Sequence, residues 1–302
     1  MTGTPTPVPG ESGESGGLGA PPACGGERSD SGIESGGLGA PSACGGERSD
    51  SGIDLGLSGR VVLVTGGVRG VGAGISSVFA GQGATVVTCA RHAVEGLPYE
   101  FYSCDVRDED AVARLIDTIA ERHGRLDVLV NNAGGSPYAL AAEATPTFHR
   151  KIVELNLLAP LLVSQRANRL MQAQPTGGSI VSISSVSGRR PTPGTAAYGA
   201  AKAGVENLTS TLAVEWAPKV RVNALAVGMV ETELSEMFYG DAESVAAVGA
   251  TVPLGRLAKP TEIGWAAAFL ASDLASYISG ATLAVHGGGE PPPYLSASSA
   301  NK

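Results

Sequence analysis

Tyr198 and Lys202, four residues apart, form the side-chain pair in this sequence best suited to proton transfer. Both fall in a helix-length segment, where residues four apart lie on one face. A free phenol has a pKa of about 10, too high to exchange protons well at neutral pH, and a nearby ammonium favours the phenolate. Ser185 follows a strand-like run and could donate a hydrogen bond to an oxygen that gains charge. A lone Tyr–Lys pair is usually amphipathic surface, so only the combination predicts acid–base chemistry.

A glycine-rich turn follows the first strand-like run and precedes a helix-length segment. Its glycines, Gly66, Gly70 and Gly72, permit a tight turn and allow backbone N–H groups at a helix start to approach a pyrophosphate. A plain glycine turn is the alternative in a chain with 43 glycines. The position after the first strand favours a dinucleotide site.

The end of the second predicted strand bears on the choice of cofactor. NAD sites usually place an acid there for the ribose 2′-hydroxyl, whereas NADP sites place a base there for the 2′-phosphate. This sequence has Ala90 and Arg91 and no acid, and Arg69 in the glycine turn could reach the same phosphate. Two solvated surface arginines are the alternative interpretation. The pattern favours NADP(H) over NAD(H).

Several motifs together resemble those of the short-chain dehydrogenase/reductase family. They are the glycine turn, Cys104–Val106, Asn131–Gly134, Asn156, and Ser185 thirteen residues before the Tyr198–Lys202 motif. That spacing selects Ser185 over Ser182, Ser184 and Ser187. The resemblance covers residues 57–289 and implies an oxidoreductase that transfers a hydride between a nicotinamide cofactor and a carbonyl or secondary alcohol.

The resemblance also implies a role for each matching residue. Tyr198 would be the proton donor and acceptor, and Asn156 would hold a water that links Lys202 to solvent. The predicted catalytic residues are therefore Ser185, Tyr198, Lys202 and Asn156. Asp105 would receive the adenine amino group, and Thr232 would contact the carboxamide or pyrophosphate. With the two arginines, the predicted cofactor-binding residues are Gly66, Arg69, Gly70, Val71, Gly72, Arg91, Asp105, Val106, Asn132, Ala133, Gly134, Tyr198, Lys202, Gly228 and Thr232.

Two positions depart from the family pattern. Val227-Gly228 stands where the family has Pro-Gly, and His286 precedes two glycines where the family often has Asp. His286 is open to interpretation as a ligand, an acid–base group or, as we favour, a structural residue. The other histidines form no metal spacing, so no metal site is predicted. Cys89 and Cys104 are interpreted as small core residues.

The elements that must position these residues alternate between strands and helices, which is typical of a parallel sheet covered on both faces. The predicted strands are Arg60–Thr65, Thr85–Cys89, Glu100–Cys104, Leu126–Asn131, Ser179–Ser184, Val220–Leu225 and Thr282–His286. The predicted helices are Val71–Gln82, Asp108–His123, Phe148–Ala173, Ala196–Ala217 and Thr261–Ser272. The fold class is α/β, a single Rossmann-type doubly wound parallel sheet of about seven strands. The connection before the third strand is short enough to predict a loop or one helical turn.

Residues 1–56 differ in composition from the rest of the chain. The segment 15–34 recurs almost unchanged as 35–54, and Gly, Ser, Pro and Ala dominate both copies. Two copies with so few apolar residues cannot offset the entropy cost of ordering, so we expect a disordered extension. A docking arm, or two thiols poised to pair, remains an alternative. The predicted domains are this extension, a catalytic domain at 57–289 and a flexible tail at 290–302.

Charge and hydropathy limit the partners. Eight acids and two arginines in residues 1–54 account for most of the formal net charge of −8, and no basic nucleic-acid footprint is present. No apolar run approaches the roughly 18 residues of a membrane span. The start of the sequence has no secretory pattern, and the four cysteines suggest no disulfide framework. We expect a cytoplasmic protein that binds neither nucleic acid nor membrane.

The segment after Gly228 resembles the family's mobile substrate lid. Its residues Leu234, Met237, Phe238 and Tyr239 favour an apolar ketone or alcohol over a sugar or a highly charged acid. The resemblance and the apolar stretch 269–280 favour a homodimer or homotetramer.

Two rival functions use the same glycine turn. A regulatory protein could bind NADP(H) without turnover, but it would not need an activated phenol. A Rossmann-like methyltransferase predicts an acid after the second strand, which Ala90-Arg91 contradicts.

Overall fold

A computed structural model describes residues 54–92, 94 and 96–300. These residues belong to one compact unit, Ser51–Lys302. The predicted disordered extension lies outside the described residues except for positions 54–56, and the domain limits stay predictions.

Seven parallel strands form one sheet in the order β3-β2-β1-β4-β5-β6-β7. The strands are β1 (Val61–Thr65), β2 (Thr85–Ala90), β3 (Glu100–Ser103), β4 (Val128–Asn131), β5 (Gly178–Ser185), β6 (Val220–Val227) and β7 (Thr282–Val285). The seven predicted strands and the doubly wound fold class are confirmed, with ends that differ by at most two residues from the predicted ones. The described residues between β2 and β3 form only bends and a turn, as the short connection predicts.

Nine α-helices are described along this part of the chain. They are α1 (Gly70–Gly81), α2 (Glu109–His123), α3 (Pro146–Val153), α4 (Ala159–Ala173), α5 (Ala196–Glu215), α6 (Ser235–Tyr239), α7 (Ala242–Ala250), α8 (Pro260–Ala271) and α9 (Tyr294–Ala297). The single helix predicted over 148–173 is wrong in its middle, because a π-helical turn, Glu154–Leu158, separates α3 from α4. The short helix α6 lies in the region predicted to be a lid, α7 follows that region, and α9 lies in the predicted tail.

Side chains on the two faces of the sheet enter two separate cores. On β1, Val61 and Leu63 pack in a cluster with residues of α2 and α4, whereas Val62 and Val64 pack with residues of α1 and α8. This alternation follows from the twofold period of a strand. Because both faces are covered, β1 is buried throughout and its first four residues are apolar, as is typical of a parallel sheet.

Helices α1 and α8 approach each other closely through glycines. A Cβ atom added at Gly74 would lie 2.4 Å from the carbonyl carbon of Pro260, and one added at Gly264 would lie 2.8 Å from the carbonyl oxygen of Gly74. This contact holds α1, and with it the glycine turn at its start, against the sheet.

Candidate active site

A cleft of about 510 Å³ opens at the carboxyl ends of the strands. This is the edge at which open α/β sheets bind their ligands. All the predicted cofactor-binding residues line it, as do Ser185, Tyr198 and Lys202. Asn156 does not line the cleft but lies directly behind it.

The glycine turn has the backbone that the sequence analysis requires. Gly66 and Gly70 have φ angles of 65° and 52°, a region that favours glycine. A Cβ atom at Gly72 would lie 2.2 Å from the carbonyl oxygen of Gly66, so no side chain fits there. Helix α1 begins at Gly70, and its N-cap residue Arg69 offers the first turn no side-chain acceptor. The first amides of α1 are therefore available to an anion, which fits a pyrophosphate.

Asn132 fastens this turn to the end of β4. Its side-chain amide donates to the carbonyl oxygens of Thr65 and Gly66 at 3.0 and 3.1 Å. The backbone amides of Asn132 and Ala133 donate to Thr65 Oγ1 at 3.0 and 3.1 Å. The side chain of Asn132 thus positions the turn, and Thr65 is a supporting residue that the sequence analysis missed.

The far end of the cleft carries three arginines. Arg69 and Arg91, both predicted, are exposed. Arg107, which the sequence analysis missed, donates from Nε and Nη2 to the two carboxylate oxygens of Asp105 at 2.9 and 2.6 Å. This bond holds the pKa of Asp105 below its ordinary value, although burial acts in the opposite direction. The spacing of Asp105 and Arg107, two residues apart, was the available signal.

Ser185, Tyr198 and Lys202 converge at the inner end of the cleft. Ser185 ends β5, while Tyr198 and Lys202 lie in the first two turns of α5. Lys202 is only 4% exposed, and its Nζ donates to the carbonyl oxygen of Ile183 at 2.7 Å. The same Nζ lies 5.5 Å from the centroid of the Tyr198 ring. The phenol and the ammonium are therefore neighbours, as the four-residue spacing predicts.

Burial controls the acidity of both groups. It raises the pKa of Tyr198, while a hydrogen bond with Ser185 acts to lower that pKa. Burial also lowers the pKa of Lys202 to about 8. The net pKa shift of Tyr198 is upward. The sequence analysis expected the neighbouring ammonium to lower this pKa, and that expectation is wrong as a net effect. The cost of removing the phenolate from water exceeds the effects that favour it.

Asn156 lies in the π-helical turn and is completely buried. Its Oδ1 accepts from the amide of Gly135 at 2.8 Å, and its Nδ2 donates to the carbonyl oxygens of Gly135 and Ile152, each at 2.9 Å. A Cβ atom at Gly134 would lie 2.7 Å from Asn156 Oδ1 and 3.4 Å from Lys202 Nζ. Asn156 therefore fixes the loop that packs against Lys202; its role in holding a water stays a prediction.

Two surfaces border the substrate end of the cleft. Leu234, Phe238 and Tyr239, at α6, line one side, and this lid region is helical in part. On the other side, His286 packs against the turn after β6, since a Cβ atom at Gly228 would lie 2.8 Å from the Cβ of His286. Thr232 reaches back to the glycine turn, with its Cγ2 3.6 Å from a Cβ placed at Gly70.

In the described part of the chain, the remaining ionisable groups show no sign of a metal centre. Among residues 54–92, 94 and 96–300, no group of three or more His, Cys, Asp or Glu side chains could hold a metal ion. Cys89 and Cys104 are buried free thiols in the α2 and α4 core, as expected. In the same described part of the chain, no helix is both long and apolar enough to cross a membrane.

Residues 66–290 match the family model described as enoyl-(acyl carrier protein) reductase. The chain is similar to the 3-oxoacyl-[acyl-carrier-protein] reductase of Thermotoga maritima, at 37% identity over 77% of this chain and 98% of that protein. It is also similar to the cis-4-hydroxycyclohexanecarboxylate dehydrogenase of Sinomonas cyclohexanicum, at 41% identity over 76% of this chain and 96% of that one. The ligand-free aldohexose dehydrogenase of Thermoplasma acidophilum has a similar structure, with a TM-score of 0.75, 33% identity and coverage of 82% and 98% of the two chains.

The fold, the residues of the cleft and the similar proteins together define the class of the protein. The chain belongs to the short-chain dehydrogenase/reductase family. It is an NAD(P)-dependent oxidoreductase that acts on CH–OH or C=O groups.

Proposed function

We propose that the protein transfers a hydride between NADP(H) and an apolar carbonyl compound or secondary alcohol. The observation that carries the proposal is the convergence of Ser185, Tyr198 and Lys202 at the inner end of the cleft. When bound, the nicotinamide would supply or accept the hydride, and the protein contributes position, proton transfer and electrostatics.

The chain's own groups perform the proton chemistry. Ser185 donates a hydrogen bond to the substrate oxygen, which stabilises charge that develops on it. In the reductive direction Tyr198 gives its proton to that oxygen, and in the oxidative direction the phenolate receives it. Such acid–base help contributes roughly 10²–10⁴ in rate. Lys202, with a pKa of about 8, is still mainly an ammonium at neutral pH, and a cation 5.5 Å from the ring centroid favours the phenolate against the larger opposing effect of burial.

The preference for NADP(H) rests on charge at the far end of the cleft. Arg69 and Arg91 are exposed there, and no ion pair of either is described. The carboxylate of Asp105 hydrogen-bonds Arg107, and the charge of Arg91 contributes only the last of the effects that lower the pKa of Asp105. A 2′-phosphate would meet planar donors suited to its oxygens.

The substrate and the assembly follow from apolar surfaces. Leu234 and Phe238 present apolar atoms to the cleft, which supports an apolar ketone or alcohol.

A second apolar surface lies at α8 and the edge strand β7, where Trp265, Tyr277 and Leu283 are exposed. We propose that this surface is covered in a homodimer or homotetramer of a cytoplasmic enzyme. Light scattering on the purified protein measures the assembly.

The test is oxidation of NADPH against a panel of ketones, with Tyr198→Phe as the diagnostic variant. We expect turnover to fall at least 100-fold, the lower range for loss of a general acid, while cofactor binding is retained. Tyr294→Phe is the matched control, because Tyr294 is exposed and does not line the cleft. A wild-type rate in Tyr198→Phe contradicts the mechanism. Binding of NADPH without turnover of any ketone would favour a regulatory protein instead.

A further inference from the structure

Glu206 lies in α5 and bonds to the chain on both sides of Ser185. Its Oε1 accepts a hydrogen bond from Ser184 Oγ at 2.9 Å, and its Oε2 accepts one from Arg189 Nε at 2.8 Å. Ser184 precedes Ser185 in β5, and Arg189 follows the 3₁₀ turn (Val186–Gly188) that begins directly after Ser185. The carboxylate therefore holds both ends of the segment that carries the Ser185 hydroxyl.

The bond between Glu206 and Ser184 is sheltered from water. The Glu206 side chain is only 17% exposed, and Ser184 is buried. Ser184 Oγ also lies 3.1 Å from the carbonyl oxygen of Lys202, but a hydroxyl has one proton and a carboxylate is the stronger acceptor. On the other side, Arg189 has a second anchor, because its Nη2 donates to the carbonyl oxygen of Thr282 in β7 at 3.4 Å. A sheltered hydrogen bond is electrostatically stronger than one in water, so Glu206 is a firm attachment point.

The 3₁₀ turn packs directly on the backbone of α5. A Cβ atom added at Gly188 would lie 2.7 Å from the amide nitrogen of Ala203, and one added at Gly199 would lie 2.7 Å from the carbonyl oxygen of Ser187. The amide of Ser187 donates to Ser185 Oγ at 3.1 Å, which uses one lone pair of the hydroxyl and leaves its proton for another acceptor. The position of the turn against α5 therefore sets where the Ser185 hydroxyl lies.

The groups that perform the proton chemistry come from different elements. Ser185 ends β5, whereas Tyr198 and Lys202 belong to α5, so only non-covalent contacts fix the distance between the serine and the phenol. Glu206 follows Lys202 by four residues, as Lys202 follows Tyr198, so all three lie on one face of α5. Glu206 thus ties the serine segment to the helix that carries the phenol.

We propose that Glu206 is a positioning residue that fixes the Ser185 hydroxyl relative to Tyr198. Glu206 does not line the cleft and acts only through Ser184 and Arg189. The inference rests on the proposed function, because the geometry that it maintains is that of the same proton chemistry. A displacement of about 1 Å in a reacting group can cost about 100-fold in rate, so loss of this attachment should lower kcat.

Glu206→Gln is the first test variant, because the amide keeps an oxygen for Ser184 but offers Arg189 a nitrogen that cannot accept. With NADPH and the best ketone of the panel, we expect kcat to fall about 10- to 100-fold while the Kd for NADPH stays within about twofold. Arg189→Met should give a similar loss, and the double variant should be no worse than either single variant, since both break the same contact. Glu109→Gln, which weakens the ion pair of Glu109 with Arg166 at 3.1 Å, is the matched control and should keep the wild-type kcat.

The same change in a Ser185→Ala background separates positioning of the serine from general support of the fold. Without the hydroxyl, Glu206→Gln should lower the residual rate by less than about twofold, because the group that it positions is gone. An equal factor in both backgrounds overturns the inference, as does a wild-type kcat in Glu206→Gln. If Glu206→Gln does not fold, Arg189→Met decides by the same comparison, since the Arg189 side chain is 41% exposed.

Crystal structures of the wild type and of Glu206→Gln test the inference without turnover. We expect Ser185 Oγ to shift by more than about 0.5 Å relative to the Tyr198 hydroxyl, which exceeds the tolerance of a catalytic constellation. A smaller shift overturns the role of Glu206 and leaves the proposed function intact. If the wild type turns over no ketone, the proposed function fails, and this shift alone decides whether Glu206 positions Ser185.

Discussion

Replacing Lys202 by methionine should change how the stability of the protein depends on pH. Lys202 is 4% exposed, and burial lowers its pKa from 10.5 to about 8. Below pH 8 the folded protein therefore contains a desolvated ammonium that opposes folding. Between pH 8 and pH 10.5 the unfolded chain binds more protons than the folded chain, so the stability contributed by this site rises with pH.

The size of the effect follows from the pKa shift. A shift of one pKa unit corresponds to about 1.36 kcal/mol, so the change from 10.5 to about 8 gives about 3 kcal/mol. Lys202→Met also removes the hydrogen bond to Ile183, but that loss shifts the free energy of unfolding by an amount that varies little with pH. The difference between the two proteins should therefore move by about 3 kcal/mol in favour of the wild type from pH 7 to pH 10.5.

Urea denaturation of both proteins at half-unit steps across this range measures the difference. Lys151→Met, which removes an exposed lysine from α3, is the matched control and should follow the wild-type curve. Other groups that titrate in the same range cancel in the comparison. A difference between Lys202→Met and the wild type that stays constant within about 0.5 kcal/mol would refute the argument that Lys202 is desolvated.

Three further predictions concern the cofactor, the packing and the extension. Arg91→Ala should weaken NADPH binding about 10-fold or more while NADH binding changes little. Fluorescence titration measures both affinities, with Arg166→Ala as the control. Equal losses for both cofactors would mean that Arg91 contacts no phosphate. Gly74→Ala should destabilise the protein by about 1–3 kcal/mol through a clash with the α8 proline, whereas Gly81→Ala, on the same helix with nothing within 4 Å of the added Cβ, should stabilise it by up to about 1 kcal/mol. Thermal unfolding distinguishes the two, and similar melting temperatures would argue against the close contact. Deleting residues 1–54 should leave turnover and melting temperature nearly unchanged, and a large drop in either would show that the repeats belong to the fold.

The sheet could be predicted from the sequence because its signals are local. The central strands β1, β2 and β4 each contain a short apolar run, and a strand buried on both faces needs no pattern beyond that. The sequence analysis gave no strand order; the Rossmann-type class implies one, and it places the cleft at the carboxyl ends of the strands. The cofactor-lining residues were found because the glycines and the motifs mark strand ends.

What the sequence did not show depends on contacts between distant segments. The pairing of Arg190 with Glu290 joins residues one hundred positions apart, and no spacing rule connects them. The upward pKa shift of Tyr198 arises from burial, which a helical spacing does not reveal. The bond from Arg107 to Asp105 is local, but many Arg–Asp pairs at this spacing remain solvated, so the sequence alone did not distinguish it.

The π-helical turn between α3 and α4 makes this part of the chain sensitive to length. One residue more than an α-helix needs is accommodated between Glu154 and Leu158, and Asn156 occupies it. Deleting any single residue there would restore regular winding and rotate everything before it by about 100° relative to everything after it. The number of residues between α3 and α4 therefore determines the site as much as Asn156 itself does. A related sequence that lacks one residue at this point should have a different conformation in the loop that contains Gly135.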